Sequence, residues 1–312
     1  MRAMVLTQFG GVENLQLQDL PIPRPQQGEV LVKIAASSIN PIDVKTRQGQ
    51  GAANFTQVTP PMILGWDLSG TVVVCGTGVE DWKPGDTVFG SVGFPGLGHA
   101  HAEYAAVPSG HLARKPENVS HKDAAAASMT GLTAWQALTT RRLGPGDKVL
   151  VHGASGGVGH MAVQIARAFG AQVTGTSSAA NREFVLSLGA AHHIDYRVEA
   201  WSSYPRDFDF VLDTVGGEAT RASLGLLRKG GTLVSILPGQ RHELAEAAAA
   251  HGVQFHFVLM HSDGEDMAAV ADLLARGLVQ PAVSHWLSLD QLAQAHVLQE
   301  SRRTVGKIVL VP

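Results

Sequence analysis

The clearest chemistry in this 312-residue sequence lies near its middle, at Gly153-Ala154-Ser155-Gly156-Gly157-Val158-Gly159. An apolar run from Lys148 to Val151 precedes it and reads as a strand; a second, from Met161 to Phe169, follows it and reads as a helix. Glycines suit such a turn because a side chain would block its tight curvature and the approach of backbone N–H groups to a pyrophosphate. The helix N-terminus then adds a favourable dipole for the anion. Glycine patterns alone are common, but in a strand–turn–helix setting this one predicts dinucleotide binding, with Ser155, Gly156, Gly157 and Val158 against the phosphates.

The next extended run, Gln172 to Thr176, decides which dinucleotide. An NAD site offers Asp or Glu about 20 residues past the loop, to hold the ribose 2′-hydroxyl. Here the chain reads Thr176-Ser177-Ser178-Ala179-Ala180-Asn181-Arg182, with no acid before Glu183. Hydroxyls and a guanidinium suit a 2′-phosphate, which needs donors and positive charge, so NADPH is the expected cofactor. The plainer alternative makes Arg182 a solvated residue on the following helix.

The surrounding elements supply a frame for that loop. From Lys148 onward strands and helices alternate, with later strands at Phe208 to Leu212, Thr232 to Leu237 and Val253 to Leu259. Such alternation predicts a doubly wound parallel sheet covered on both faces. The first third reads instead as strands and turns, with runs at Val30 to Ile34, Leu68 to Val74, Thr87 to Phe89 and Tyr104 to Val107, punctuated by Pro and Gly. An Ala-rich helix, capped by Ser120 with Asp123 in its first turn, links the two textures and runs to about Thr140. The tail adds helical runs from Met267 to Arg276 and Leu289 to Glu300 and a closing strand from Lys307 to Val311.

Composition narrows the class. Hydrophobic residues at 45% and charged residues at 16% fit a soluble globular chain, and a formal net charge of −3 argues against a nucleic-acid partner. Cys75 is the sole cysteine, so no intrachain disulfide can form. No span of about 20 apolar residues reads as a membrane helix, and the apolar start turns polar at Thr7-Gln8, too soon for a signal-peptide core. The expected compartment is the cytoplasm, without a membrane partner.

With these features in place, the chain resembles the medium-chain dehydrogenase/reductase superfamily, in its zinc-independent quinone oxidoreductase (zeta-crystallin-like) branch. The resemblance rests on Asn40-Pro41-Ile42-Asp43, Pro84-Gly85-Asp86, Thr130-Gly131-Leu132-Thr133-Ala134, the Gly-Gly-Val-Gly loop, Ile194-Asp195-Tyr196-Arg197, Asp213-Thr214-Val215-Gly216-Gly217 and Glu300-Ser301-Arg302, in that order. It implies a mostly β, GroES-like substrate domain from residues 1–125 and 262–312, and a Rossmann NADPH-binding domain from 126–261. It also implies roles. Asn40 and Thr133 would contact the nicotinamide end, and Ser177, Arg182 and Tyr196 would surround the 2′-phosphate. Arg302 would close over the phosphates, and the backbone around Leu237 and Val258 would line the nicotinamide pocket. Tyr196 has the plainer alternative of a rim aromatic.

No metal is expected. Zinc alcohol dehydrogenases of this superfamily use Cys and His at the catalytic ion and four Cys at a structural one. Here there is one Cys, and Gly65-Trp66-Asp67 stands where those enzymes have Gly-His-Glu. His99 and His101 lie on a glycine-rich loop and read as surface residues without a third ligand. A short-chain dehydrogenase is disfavoured because no Tyr is followed four residues later by Lys.

Direct hydride transfer without a metal suits an electron-poor acceptor, so the expected substrate is a quinone, an enone or an alkenal. Lys45 is the third catalytic candidate beside Asn40 and Thr133. Several quinone reductases of the family have Tyr near that place, and Lys there resembles relatives that reduce the C=C bond of enones and alkenals. Its alternative is a solvated Lys beginning a helix. The function expected is an NADPH-dependent quinone reductase. The runners-up are an NADPH-dependent enone/alkenal double-bond reductase and a non-catalytic, crystallin-like NADPH-binding protein. The sequence leaves a homodimer open.

Overall fold

A computed structural model describes residues 1–239 and 241–312. The chain divides into two compact units. One comprises Met1–Leu132, His261–Gly277 and Pro281–Pro312, the other Thr133–Met260 and Leu278–Gln280.

In the first unit the chain runs through β1 (Arg2–Leu6), β2 (Leu15–Asp19), β3 (Glu29–Ser38), α1 (Pro41–Arg47), α2 (Ala52–Thr56), β4 (Met62–Ile63), β5 (Asp67–Cys75), β6 (Thr87–Ser91), β7 (Tyr104–Pro108), β8 (Ala113–Arg114) and α3 (His121–Leu138). The boundary after Leu132 falls inside α3. In β3, Val30, Val32, Ile34 and Ala36 are buried while Lys33 is exposed, so the period-2 pattern does mark a face of the sheet. Each such fully buried Val or Ile contributes about 1.5–3 kcal/mol of transfer free energy. β3 pairs antiparallel with both β5 and β7, which fixes the ends of β3 and β5 side by side: Ser38 lies opposite Asp67. Ser120 caps α3 as expected, its hydroxyl accepting the Asp123 N–H at 3.1 Å and donating to the Asp123 carboxylate at 2.7 Å.

The second unit continues with β9 (Lys148–Val151), α4 (Gly157–Ala168), β10 (Gln172–Ser177), α5 (Arg182–Ser187), β11 (His192–Asp195), β12 (Phe208–Asp213), α6 (Glu218–Ser223), β13 (Leu227–Ser235), α7 (Arg241–His251) and β14 (Gln254–Phe257). These strands form one parallel sheet in the order β11-β10-β9-β12-β13-β14. Parallel strands buried on both faces need near-continuous apolar runs, and β9 and β12 have them: Val149 to Val151 and Phe208 to Asp213 are buried throughout. β13 stops at Ser235, two residues short of the run read from the sequence, because the Leu237 N–H turns to the Ser235 hydroxyl at 3.3 Å.

The tail returns to the first unit with α8 (Gly264–Ala275), β15 (Val283–Ser288), α9 (Leu292–Glu300) and β16 (Lys307–Val311). β16 pairs with β15 and, through Val309 and Leu310, with the end of β3. Among the described residues no helix is long and apolar enough to cross a membrane.

Candidate cofactor-binding site

A parallel sheet brings the carboxyl ends of all its strands to one edge, and the order of this sheet reverses direction beside β9, between β9 and β12. In open α/β sheets ligands bind at such a reversal. The segments named from sequence follow strand ends along this edge. Ser155, Gly156, Gly157 and Val158 follow β9, Ser177 ends β10, and Tyr196 follows β11. Leu237 follows β13, Val258 follows β14, and Arg182 opens α5 just beyond β10.

The loop after β9 is shaped by two glycines. Gly153 has φ +66°, and a Cβ there would meet Thr214 Oγ1 at 2.6 Å. A Cβ on Gly159 would lie 2.1 Å from the Gly153 carbonyl oxygen, which would force the turn open. Gly156 caps the 12-residue α4 without a side-chain hydrogen bond, so the cap itself leaves the first N–H groups of the helix to other acceptors. Asn181 Nδ2 donates to Ser155 Oγ at 3.1 Å and ties this loop to the turn before α5.

Beneath the edge, Asp213 organises the loop after β12. It is wholly buried, accepts the Val215 and Gly216 N–H groups at 2.9 and 2.8 Å, and accepts the Thr220 and Ser235 hydroxyls at 2.6 and 3.0 Å. Four donors satisfy one carboxylate, which offsets the cost of burying it. His152, also buried, bridges Thr176 Oγ1 at 3.2 Å and Ser223 Oγ at 2.9 Å. Burial pushes its pKa down to about 4 against the raising influence of Asp213, so it is neutral near pH 7. Beside Asp213, a cavity of about 260 Å³ is lined by Val215, Gly216, Gly217, Ser235, Leu237 and Gly239.

The 2′-phosphate candidates form a more open group. Ser177 is buried, with Oγ 2.8 Å from His193 Nε2 and 3.1 Å from the Ser178 carbonyl. Arg182 is exposed, and Tyr196 is 53% exposed with the Arg197 guanidinium 5.8 Å from its ring centroid. Val258 is half-buried and donates its N–H to the Ser235 carbonyl at 3.0 Å. Thr133 is 6% exposed on α3.

The other three candidates lie in the first unit. Asn40 caps α1, with Pro41 at the first helical position and the Asn40 N–H donated to Asp43 Oδ2 at 2.8 Å. Its carboxamide is held at both ends: Nδ2 donates to Asp67 Oδ2 at 2.8 Å, and Lys307 Nζ donates to Oδ1 at 2.5 Å. Those partners fix which end of the amide is which. Asp67 also accepts from Ser38 Oγ at 2.5 Å and from the Met129 N–H of α3 at 2.8 Å, and Lys307 donates to the Ile39 carbonyl at 2.7 Å. Burial raises the pKa of Asp67 and lowers that of Lys307, and each shift is opposed by the other's charge. Lys45 is exposed in the last turn of α1, and Arg302 is exposed beyond α9 with φ +55°.

Sequence reasoning missed Lys307, His193 and the engagement of Asp67. It also misread His101. Far from being a surface residue, His101 is wholly buried, its Nε2 3.1 Å from Asp43 Oδ1; His99 is exposed. Trp66, where zinc enzymes of the resembled superfamily have His, is wholly buried and donates its indole N–H to the Gly96 carbonyl at 2.7 Å. Among the described residues no group of three or more His, Cys, Asp or Glu could hold a metal ion.

The family described as the alcohol dehydrogenase GroES-like domain matches residues 26–117, and that described as zinc-binding dehydrogenase matches residues 188–310. The chain is 34% identical to the 2-methylene-furan-3-one reductase of Solanum lycopersicum, over 100% of its own length and 79% of that protein's. It is 31% identical to the chloroplastic NADPH-dependent alkenal/one oxidoreductase of Arabidopsis thaliana, over 100% of its own length and 80% of that protein's. Among solved structures it is similar to the quinone oxidoreductase from Coxiella burnetii, with a TM-score of 0.93 and 34% identity over 100% of this chain and 99% of that one.

Proposed function

From the premise that this chain belongs to the medium-chain dehydrogenase/reductase superfamily, in its zinc-independent quinone oxidoreductase-like branch, we propose that it is an NADPH-dependent reductase. It passes hydride to quinones or related electron-poor carbonyl acceptors without a metal. The observation that carries this reading is the carboxyl edge of the parallel sheet. There a glycine loop leaves the start of α4 open to phosphates, and Ser177 with Arg182 offers a hydroxyl and a cation where an NAD site has an acid.

Bound NADPH supplies the hydride, so the chain's own residues have to bind, orient and stabilise charge. Ser155 to Val158 would hold the pyrophosphate, Ser177, Arg182 and Tyr196 the 2′-phosphate, and Arg302 would add charge over the phosphates. The backbone around Leu237 and Val258, with Thr133, would hold the nicotinamide end. Asn40 is already committed to Asp67 and Lys307, which leaves it one Nδ2 hydrogen for the same end. Lys45 is exposed, and its ammonium would stabilise the oxygen that gains negative charge.

A second reading, reduction of the C=C bond of enones and alkenals, is favoured by Lys45 and by two relatives whose names specify such acceptors. An NADPH-oxidation screen across quinones, enones and alkenals, run in parallel with NADH, tests both. Turnover with one acceptor class and preference for NADPH is expected. Tight NADPH binding without oxidation by any acceptor would replace the enzyme with a binding protein.

A further inference from the structure

β10 and β11 pair in register, with Gly175 opposite His193, and the face carrying Gly175 and Ser177 is covered by α5 and the glycine loop. A Cβ on Gly175 would meet Val185 at 2.6 Å and Ala154 at 2.8 Å. His193 turns onto this same face, where its Nε2 lies 2.8 Å from Ser177 Oγ. His193 is 9% exposed, and its Nδ1 is buried with no hydrogen-bond partner among the described residues. A buried, unpaired ring nitrogen is costly unless something compensates for it. The Nε2 contact places the ring directly against the hydroxyl assigned to the 2′-phosphate.

We propose that His193 is a proton-linked specificity residue of the 2′-phosphate site, taking up a proton when a 2′-phosphorylated dinucleotide binds, so that the preference for NADPH over NADH depends on pH. This rests on the assignment of Ser177 and Arg182 to that phosphate. The single hydroxyl hydrogen of Ser177 has three claimants: the Ser178 carbonyl at 3.1 Å, His193 Nε2, and a phosphate oxygen. It can go to the phosphate only if Nε2 donates to Oγ. The neutral ring does so in the tautomer that leaves Nδ1 bare; the imidazolium does so with a hydrogen on each nitrogen.

The charges around the ring set the direction. Burial is the largest influence and, with the Arg182 guanidinium, lowers the His193 pKa; Asp195 on its own strand and Glu199 beyond it raise it. The ring is therefore neutral near pH 7 without cofactor. A 2′-phosphate brings about −1.5 to −2 of charge next to Ser177. An opposite charge close by raises a pKa, so the phosphate favours the imidazolium form of His193. The proton comes from solvent, and NADH, which lacks the phosphate, gives no such shift.

Calorimetric titration of the full-length protein with NADPH and with NADH, in two buffers of different ionisation enthalpy, reads the proton directly. NADPH binding should take up a fraction of a proton near pH 7 and NADH none. The NADPH:NADH affinity ratio should rise about threefold or more from pH 8 to pH 6.5, since one linked proton allows at most tenfold per pH unit. In His193→Gln, which keeps an amide donor for Ser177, uptake should vanish and the ratio should stop rising. His193→Val, a β-branched residue suited to a strand, should do the same. Unchanged uptake in both variants, with NADPH still preferred, would overturn the role of His193 and leave the cofactor assignment standing. Equal affinities for NADPH and NADH in the parent at every pH would overturn both.

Discussion

In one unit, Asp67 meets Lys307, Asn40, Ser38 and a helix N–H, and the side chains of this group are all buried. In the other, Ser177 meets a histidine and a neighbouring carbonyl, while Arg182 and Tyr196 stand exposed beside it. Both groups pair hydroxyls with a cation. The first has spent most of its donors and acceptors on itself, so it orients Asn40 and leaves a ligand little beyond one Nδ2 hydrogen. The second keeps donors and charge in reserve, which suits binding. A polar cluster that is closed holds position, and one left open waits for a partner.

The sharpest way to break that contrast is to open the closed cluster. Lys307→Met leaves the Asp67 carboxylate buried with its hydroxyl and amide donors but no cation. Removing one partner of a buried pair costs about 3–5 kcal/mol, read as a loss of unfolding free energy in urea. Asp67→Asn/Lys307→Met, neutral at both positions, should recover part of that loss. A loss under about 1 kcal/mol for Lys307→Met, the size typical of a surface pair, would mean that the cluster is not closed in solution.

A smaller effect is expected at Lys45, which shares α1 with the closed cluster yet is exposed. Lys45→Met keeps length and removes charge. Turnover should fall ~10²-fold, the size seen when one oxyanion donor is lost, while NADPH affinity and unfolding free energy stay nearly constant. Unchanged turnover with every accepted substrate would return Lys45 to solvated surface.

The open cluster was the legible one. A glycine loop between a strand and a helix, and a missing acid after the next strand, are local patterns that a sequence displays directly. β9 and β16 were read at Lys148–Val151 and Lys307–Val311 because apolar runs marked them. The closed cluster was hidden by distance. Lys307 heads an apolar strand, where a lysine reads as a solvated end, and its bond to Asn40 spans 267 residues. His101 read as surface for the same reason, since its partner Asp43 lies 58 residues away. β15 escaped notice because its residues are largely exposed and imprint no burial pattern. β1, buried from Ala3 to Leu6, was passed over as a short apolar start.

The smallest expected effect sharpens the contrast from the open side. Arg182→Ala removes an exposed guanidinium from the head of α5. Exposed substitutions away from caps and cores usually change stability by less than about 0.5 kcal/mol, so the unfolding free energy should hardly move. A charge-assisted contact to a 2′-phosphate is worth ~1–3 kcal/mol, so NADPH binding should weaken by that amount. NADH, with only a hydroxyl at the same place, should bind as before. Lys307→Met should show the reverse pattern, with stability lost and the NADPH:NADH ratio kept, because nothing in the closed cluster belongs to the group around Ser177. Equal weakening of both cofactors by Arg182→Ala would move Arg182 from the 2′-phosphate to a general effect of positive charge. It would leave Ser177 and His193 to carry the preference for NADPH.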